Sequence, residues 1–221
     1  KGTNKDGFKD LIKTLVADDP ELILGVWRIG ELKAFMEAYV ELGEDSAWTD
    51  KPDGYDKIVF INTGSTRTDY SDLSAKALKV MNEQATGLQP YWDPESDGFK
   101  KWDAAFKEFD PEAEVKVHTQ MRTYDALMVL ILAMTKVNST DGEKIKAELK
   151  AVANEPGEKV YPGEFAKARK LIKEGKDINY EGASGTCDLA DTGNVKTTPY
   201  QVWIVKDDGS SELKKPYVSA E

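Results

Sequence analysis

One apolar stretch, residues 123–137, constrains the fold of this chain more than any other feature of its sequence. The run from Ala126 to Met134 carries no charge, yet it is far shorter than the roughly 20 apolar residues that a membrane-spanning helix needs. Apolar side chains recur at helical spacing along one face, and the opposite face is apolar as well. We therefore predict a helix that is buried on all sides in a protein core. The two faces comprise Tyr124, Leu127, Met128, Ile131, Leu132 and Thr135, and Val129, Leu130 and Ala133.

Composition limits the partners that the chain can bind. It has 221 residues, 40% of them hydrophobic, so it can form one large domain or two small ones. The formal net charge is −10. Because binding to nucleic acid or to an anionic membrane requires a basic surface, this charge disfavours both kinds of partner. The single cysteine, Cys187, cannot form an internal disulfide, and with the single histidine, His118, it cannot build a zinc site from His and Cys ligands. We expect no metal and no cofactor.

The first 92 residues predict helices and strands in alternation. Short apolar runs at Glu21–Val26 and Lys57–Asn62 predict buried strands. Residues 87–92 predict a weaker strand, confined to an edge or an end because Pro90 cannot donate to a sheet ladder. Amphipathic helices separate these strands, which is typical of an α/β fold with a parallel sheet flanked by helices. The remainder predicts helices, a turn-rich segment and a terminal hairpin at Asp208–Gly209.

No motif in the sequence predicts an enzyme. The chain contains neither a glycine-rich phosphate or dinucleotide loop nor a nucleophile elbow. Ser184 lies in a Gly-Ala-Ser-Gly run that resembles such an elbow only superficially, because its context is a β segment. A nucleophilic Cys187 would need a basic partner to lower its pKa, and no acid/base pair stands out among the carboxylates. The residues alone therefore indicate no catalytic site.

Polar residues follow two predicted strands at the ends where open parallel sheets bind ligands. The first loop, residues 25–30, offers an aromatic ring and a guanidinium from Trp27 and Arg28. The second loop, residues 62–67, offers hydroxyl groups and backbone N–H groups near a helix start. Such groups suit a small polar ligand with a carboxylate. An alternative remains open, in which Trp27 belongs to the core and Thr63, Ser65 and Thr66 are only turn and cap residues.

Several stretches of the C-terminal half follow one another in an order and spacing that is typical of a known family: Thr123–Ala126 with its apolar helix, Asn138–Gly142, Ala151–Val160, Pro162–Lys167, Leu171–Gly185, Asp188–Asn194 and Tyr200–Trp203. In these stretches the chain resembles the type I periplasmic substrate-binding proteins of amino-acid and amide ABC importers, of the branched-chain amino-acid-binding type. Residues 7–92 resemble the second lobe of the same family more weakly. Neither a signal peptide nor an initiator methionine opens the sequence, which suggests a processed, truncated or partly observed polypeptide.

This resemblance implies a two-lobed α/β protein that closes on a small ligand, delivers it to a membrane permease and performs no chemistry. Residues 1–91 with 196–221 would form lobe two, and residues 92–195 the C-terminal part of lobe one. The elements that open lobe one in the family have no counterpart here, so a missing N-terminal half of the same protein is a possible partner. The family is usually exported to the periplasm or the cell surface, often as lipoproteins.

The resemblance also implies which residues bind the ligand. Trp27 and Arg28 occupy a loop where the family has an aromatic ligand contact, and Arg28 suits a carboxylate. Thr63, Gly64 and Ser65 occupy a loop where an acidic or polar residue meets the ligand's amino group, and no acid stands there in this sequence. Two further residues, Tyr91 and Trp92, fall where the chain crosses between lobes, and either line the cleft or simply pack at the hinge.

The expected function is capture of an amino acid, an amide or a small carboxylate in an interlobe cleft for an ABC importer. The main alternative is a ligand-binding sensor or receptor domain of the same fold. An enzyme on a nucleotide-binding α/β fold and a structural role for a truncated chain are weaker alternatives.

Overall fold

The computed structural model describes residues 5–112 and 118–214 of the chain, without the side chains of Lys5, Asp6 and Ser65. They form two compact units. Unit 1 is described over residues 5–89 and 200–214, and unit 2 over residues 90–112 and 118–199.

Helices and strands alternate in the first part of the chain, as predicted, and short 3₁₀ turns at Tyr55–Lys57 and Gly64–Thr66 flank the second strand. The elements, in chain order, are α1 Lys5–Val16, β1 Leu22–Gly25, α2 Ile29–Gly43, β2 Val59–Thr63, α3 Ala75–Gln84, β3 Ala85–Pro90, α4 Asp97–Phe109, α5 Thr119–Val137, α6 Gly142–Ala153, β4 Glu158–Val160, α7 Phe165–Lys173, β5 Ile178–Gly182, β6 Gly185–Thr186, β7 Tyr200–Val205 and β8 Ser211–Leu213.

The sheet of unit 1 has the strand order β1-β2-β3-β7-β8 over its described residues. Strands β1, β2 and β3 are parallel neighbours, which confirms the predicted parallel sheet. Strands β7 and β8 form the predicted antiparallel hairpin. Alternate residues of the strands, such as Ile23, Phe60 and Trp203, point into a core that α1, α2 and α3 complete with Ile12, Phe35 and Met81.

Strand β3 differs from its predicted position. It spans Ala85–Pro90 rather than residues 87–92, and it lies inside the sheet between β2 and β7. Pro90 is its last residue, so the missing N–H falls at the strand end, which was one of the two places expected. The strand therefore begins and ends two residues earlier than predicted, directly after α3 ends at Gln84.

Unit 2 combines helices α4 to α7 with a small sheet of strand order β4-β5-β6. Strands β4 and β5 are parallel, and β5 and β6 are antiparallel. Its main core contains apolar side chains of α5, α6, α7 and β5, among them Leu132, Val152, Ala168 and Tyr180.

Helix α5 is less buried than its sequence predicts. Met128, Val129, Leu132 and Ala133 are buried against α6, α7 and β5. On another side of the helix, however, Leu127 is 53% exposed and Leu130 is 41% exposed. The prediction of a helix buried on all sides is therefore wrong for this side, because in the part of the chain that the structure describes no element covers it.

Candidate functional site

The two loops that the sequence singles out lie at the same edge of the unit 1 sheet. Strand β1 ends at Gly25 and β2 at Thr63, and the parallel register pairs Gly25 with Asn62. Adjacent strands lie about 4.8 Å apart, so the loop carrying Trp27 and the loop that begins at Gly64 start side by side. Parallel pairing thus brings together Gly25 and Asn62, which are 37 residues apart in sequence.

Trp27 is held by the core of unit 1. Its ring is half buried and lies 4.7 Å from Phe35 and 6.4 Å from Phe8, measured between ring centroids. The indole also covers Gly25 so closely that a Cβ at that position would be 1.6 Å from Trp27 Nε1. These contacts support the alternative in which Trp27 packs in the core, while its exposed part remains beside the loop.

Arg28 is exposed at the start of α2. Its backbone N–H donates to Glu31 Oε2 at 3.1 Å, which holds the loop in place as the helix begins. The N-terminus of a helix carries partial positive charge, so a guanidinium there adds to the field that attracts an anion. The position of Arg28 thus favours a carboxylate near the end of β1.

The second loop forms a tight turn. Thr66 Oγ1 donates to the Thr63 carbonyl oxygen at 2.7 Å, and Arg67 N donates to the Gly64 carbonyl oxygen at 3.2 Å. Thr66 therefore stabilises the turn, as expected in the alternative interpretation in which the hydroxyl groups of this loop belong to turn and cap residues. Thr63 and Gly64 are partly exposed, and the side chain of Ser65 lies outside the described residues. Burial lowers the pKa of the half-buried Arg67 guanidinium.

Tyr91 and Trp92 follow the last residue of β3 and belong to unit 2. Tyr91 N donates to the Pro199 carbonyl oxygen at 2.7 Å. Both residues line a pocket of about 540 Å³ within unit 2, large enough for a small molecule. Further lining residues include Arg122, Asp125, Val129, Leu149, Ser184, Cys187 and Thr198. Of the seven predicted site residues, five thus belong to unit 1 and two to unit 2.

A buried carboxylate beside this pocket was missed as a functional candidate. Asp125 is 3% exposed and accepts hydrogen bonds from Tyr180 Oη at 2.9 Å, Ala183 N at 2.9 Å, Ser184 N at 2.8 Å and Ser184 Oγ at 2.7 Å. It thereby holds the turn between β5 and β6 against α5. The sequence feature that could have indicated this role is an acidic residue at a core-facing position of a mainly apolar helix. Ser184 serves this turn, in line with its rejection as a nucleophile.

Cys187 is expected to react slowly with thiol reagents in the folded protein. Burial, and next the charge of Asp125, raises the pKa of its thiol far above the ordinary range. Near pH 8.5, where an exposed cysteine is about half ionised, this side chain should remain a protonated thiol. A chromogenic disulfide reagent should therefore titrate Cys187 only after denaturant is added, and an immediate reaction of the folded protein would contradict its burial.

Comparison with known proteins identifies the type of protein to which these features belong. The family described as "Receptor family ligand binding region" matches residues 3–208, nearly the whole chain. The chain belongs to this family. Members of the family and the related proteins named below are receptors or substrate-binding proteins rather than enzymes, so the absence of a catalytic motif has a direct explanation.

One curated relative of this ligand-binding family is the chemotactic signal transduction system substrate-binding protein BasB of Halobacterium salinarum. It is 32% identical over 119 residues, which cover 54% of this chain and 22% of BasB. The match therefore covers less than a quarter of the length of BasB.

Solved structures establish the fold of type I periplasmic binding proteins. The leucine binding protein LivK of Thermotoga maritima superposes with a TM-score of 0.55 at 17% identity, over 97% of this chain and 48% of that protein. A solute-binding protein of an R. palustris ABC transporter, in complex with 4-hydroxybenzoate, gives a TM-score of 0.51 at 16% identity, over 99% and 49%. The chain thus spans about half the length of these structures. Among the described residues, no helix is both long and apolar enough to cross a membrane.

Proposed function

We propose that the chain is part of an extracytoplasmic solute-binding protein that captures a small carboxylate, such as an amino acid or a related acid, for an ABC importer. The observation that carries the proposal is the meeting of two polar loops at one edge of the parallel sheet, where Gly25 at the end of β1 is paired with Asn62. In open α/β sheets, ligands bind beyond this edge. Membership of a ligand-binding family supports the same conclusion.

The chemistry of the loops favours a carboxylate over an amino group. Arg28 and the N-terminus of α2 both attract negative charge. The second loop, residues 62–67, contains no acidic residue to pair with an ammonium group. Two of the structural relatives are a leucine-binding protein and a protein in complex with 4-hydroxybenzoate. Both ligands are carboxylates on an apolar body, and a partly exposed Trp27 suits the apolar part.

The ligand contacts proposed here are those predicted from the sequence: Trp27, Arg28, Thr63, Gly64, Ser65, Tyr91 and Trp92. Residues 1–91 with 196–221 would be lobe two, and residues 92–195 a part of lobe one. The proposed partners are the solute, a membrane permease and the remainder of the same protein. The proposed location is the periplasm or the cell surface, with a lipid anchor as one route of attachment.

A sensory role is the second candidate, and one observation favours it. The 32% identical relative BasB is a substrate-binding protein of a chemotactic signal transduction system. In that case the same ligand-bound form would dock on a transducer rather than on a permease. Pull-down from membranes of the source organism, with and without ligand, separates the two, because only one of these partners should be enriched.

Arg28→Ala is expected to weaken binding of a carboxylate ligand by about 10- to 100-fold, since a hydrogen bond to a charged group contributes about 1.5–3 kcal/mol. A thermal-shift screen of amino acids, amides and small carboxylates on the full-length protein identifies a ligand, because tight binding raises the apparent stability. Calorimetric titration of that ligand then gives the affinity of each variant.

Arg169→Ala is the matched control, because Arg169 is an exposed arginine of α7 in unit 2, and its loss should leave the affinity unchanged. An unchanged affinity in Arg28→Ala would remove Arg28 from the site. A broad panel without any binder would contradict the proposed function itself.

A further inference from the structure

Unit 1 contains four buried side-chain nitrogens that have no hydrogen-bond partner among the described residues. They are Asn62 Nδ2, Arg67 Nε, Gln89 Nε2 and Trp203 Nε1. Asn62 is 2% exposed, Gln89 is 3% exposed and Trp203 is fully buried, while Arg67 is half-buried. Buried polar groups in native proteins nearly always have a partner, so these donors indicate a group that binds to them. We call the four side chains the donor cluster.

The strand register brings three members of the donor cluster together on one face of the sheet. Asn62 of β2 is paired with Gly87 of β3, and β7 lies on the other side of β3. The Trp203 ring covers Gly87, since a Cβ at that glycine would be 2.1 Å from Trp203 Nε1. Gln89 is two residues beyond Gly87 on the same strand, so its side chain points to the same face. The three donors thus lie side by side near the carboxyl ends of β2 and β3.

Arg67 belongs to the segment that covers these strands. Tyr70 stacks on the Trp203 ring at 6.3 Å between ring centroids, and its hydroxyl donates to the Thr66 carbonyl oxygen. Arg67 lies between Thr66 and Tyr70 in the chain. Burial lowers the pKa of its guanidinium, and no charge among the described residues counteracts this effect. The cation is therefore partly removed from water without a carboxylate to balance it.

The missing partner of the donor cluster is a hydrogen-bond acceptor. An amide side chain can turn to present its oxygen instead of its nitrogen, but the guanidinium of Arg67 and the indole of Trp203 can only donate. Gln84 Oε1 is a buried acceptor without a partner as well, but it lies at the end of α3, five residues before Gln89. Ordered water would complete the hydrogen bonds and leave the charge of Arg67 unbalanced. An anion supplies both the acceptor and the opposite charge.

We propose that the donor cluster binds a small monovalent anion between the segment 64–70 and the carboxyl ends of β2 and β3. The chemistry is that of chloride or of a carboxylate group, and the carboxylate can belong to the captured solute. The chain has 40 acidic residues, yet none of those that the structure describes balances Arg67. A bound anion would hold the loop of residues 62–67 against the strand ends. The site needs no known solute, so it can fail independently of the proposed function.

The test is the anion dependence of the thermal stability of the full-length protein without solute. Sodium chloride replaces sodium methanesulfonate at constant ionic strength, so that general salt effects stay similar. An anion that binds only the folded state raises its stability by mass action. We expect the unfolding midpoint to rise by about 5 °C between about 5 mM and about 0.5 M chloride, along a curve that saturates.

Two substitutions assign this response to the donor cluster. Arg67→Met should abolish it, whereas Arg169→Met, which removes an exposed arginine of α7, should retain it. Asn62→Asp keeps the size of the side chain and places a carboxylate inside the cluster. This variant should have a higher midpoint than the unsubstituted protein in the chloride-free buffer, and it should no longer respond to chloride. Because it is expected to gain stability, it tests the proposal even where Arg67→Met fails to fold.

A competition experiment identifies the source of the anion. If the solute provides the carboxylate, chloride and Arg67→Met should each weaken binding of the ligand that the thermal-shift screen identifies. If a free anion occupies the site, the affinity for that ligand should not depend on chloride, while the stability still does. A midpoint that does not change with chloride would overturn the proposal. A lower midpoint for Asn62→Asp than for the unsubstituted protein would also overturn it, and would assign ordered water to these donors.

Discussion

Asp125→Ala is expected to lower the free energy of unfolding of unit 2 by about 3–5 kcal/mol, because several buried donors lose their acceptor at once. The variant leaves Ala183 N, Ser184 N and the Tyr180 hydroxyl without their partner, next to a turn that this carboxylate holds. A Cβ added at Gly182 would lie 2.5 Å from Asp125 Oδ2, so the end of β5 packs directly against this carboxylate. Denaturant titration followed by circular dichroism measures the change.

Two further variants make the result specific to hydrogen bonding. Asp125→Asn keeps the volume but loses one acceptor oxygen, so its effect should lie between those of wild type and alanine. Asp191→Ala is the control for removal of a carboxylate from the same unit, because its side chain is 97% exposed and its loss should change stability little. If Asp125→Ala unfolded at the same denaturant concentration as Asp191→Ala, the buried network would contribute nothing to unit 2.

Gly87→Ala is expected to destabilise unit 1 by about 3 kcal/mol, at the upper end of the cost of overpacking a core. A Cβ at Gly87 would be 1.8 Å from Trp203 Cε2 and 2.1 Å from Trp203 Nε1. The indole is fully buried and stacks on Tyr70 at 6.3 Å between ring centroids, so it has little freedom to move. The same denaturant titration, followed by circular dichroism, measures the loss.

Gly30→Ala is the matched control for this substitution. Gly30 lies in α2, where a Cβ would meet nothing within 4 Å, so alanine should be neutral or stabilise the helix by up to about 1 kcal/mol. Trp203→Leu in the Gly87→Ala background removes the clashing ring. The coupling between the two substitutions should therefore be favourable in a double-mutant cycle. Strictly additive effects would show that the two positions do not compete for the same space.

Much of the fold was predictable because it depends on short-range patterns. The run Lys57–Asn62 and the amphipathic spacing of residues 31–42 correspond to β2 and α2, with boundaries that differ by one or two residues. The alternation of such elements was enough to predict the parallel sheet. Asn138 marks a helix end for a local reason as well, since it adopts the left-handed conformation that ends α5.

The candidate site was only partly predictable. The ends of β1 and β2 were recognised as adjacent because parallel neighbours have this geometry, and the register agrees. The packing of Trp27 on Phe35 and over Gly25 was one of two open interpretations, since its partners belong to other elements. The role of Asp125 went unrecognised, because its donors are 55 to 59 residues away in sequence.

Local sequence patterns were thus sufficient for the alternation of helices and strands in the first part of the chain and for the terminal hairpin, but not for the small sheet of unit 2. The class of binding fold followed from the resemblance to a known family. Side-chain contacts between distant segments required the three-dimensional arrangement. The two leucines of α5 illustrate the physical reason: their spacing makes Leu127 and Leu130 compatible with burial, but exposure depends on whether another element packs there. Strand β1 shows the same separation, since alternation predicts that Leu22 and Leu24 point away from Ile23, and only the assembled sheet reveals that both are exposed among the described residues.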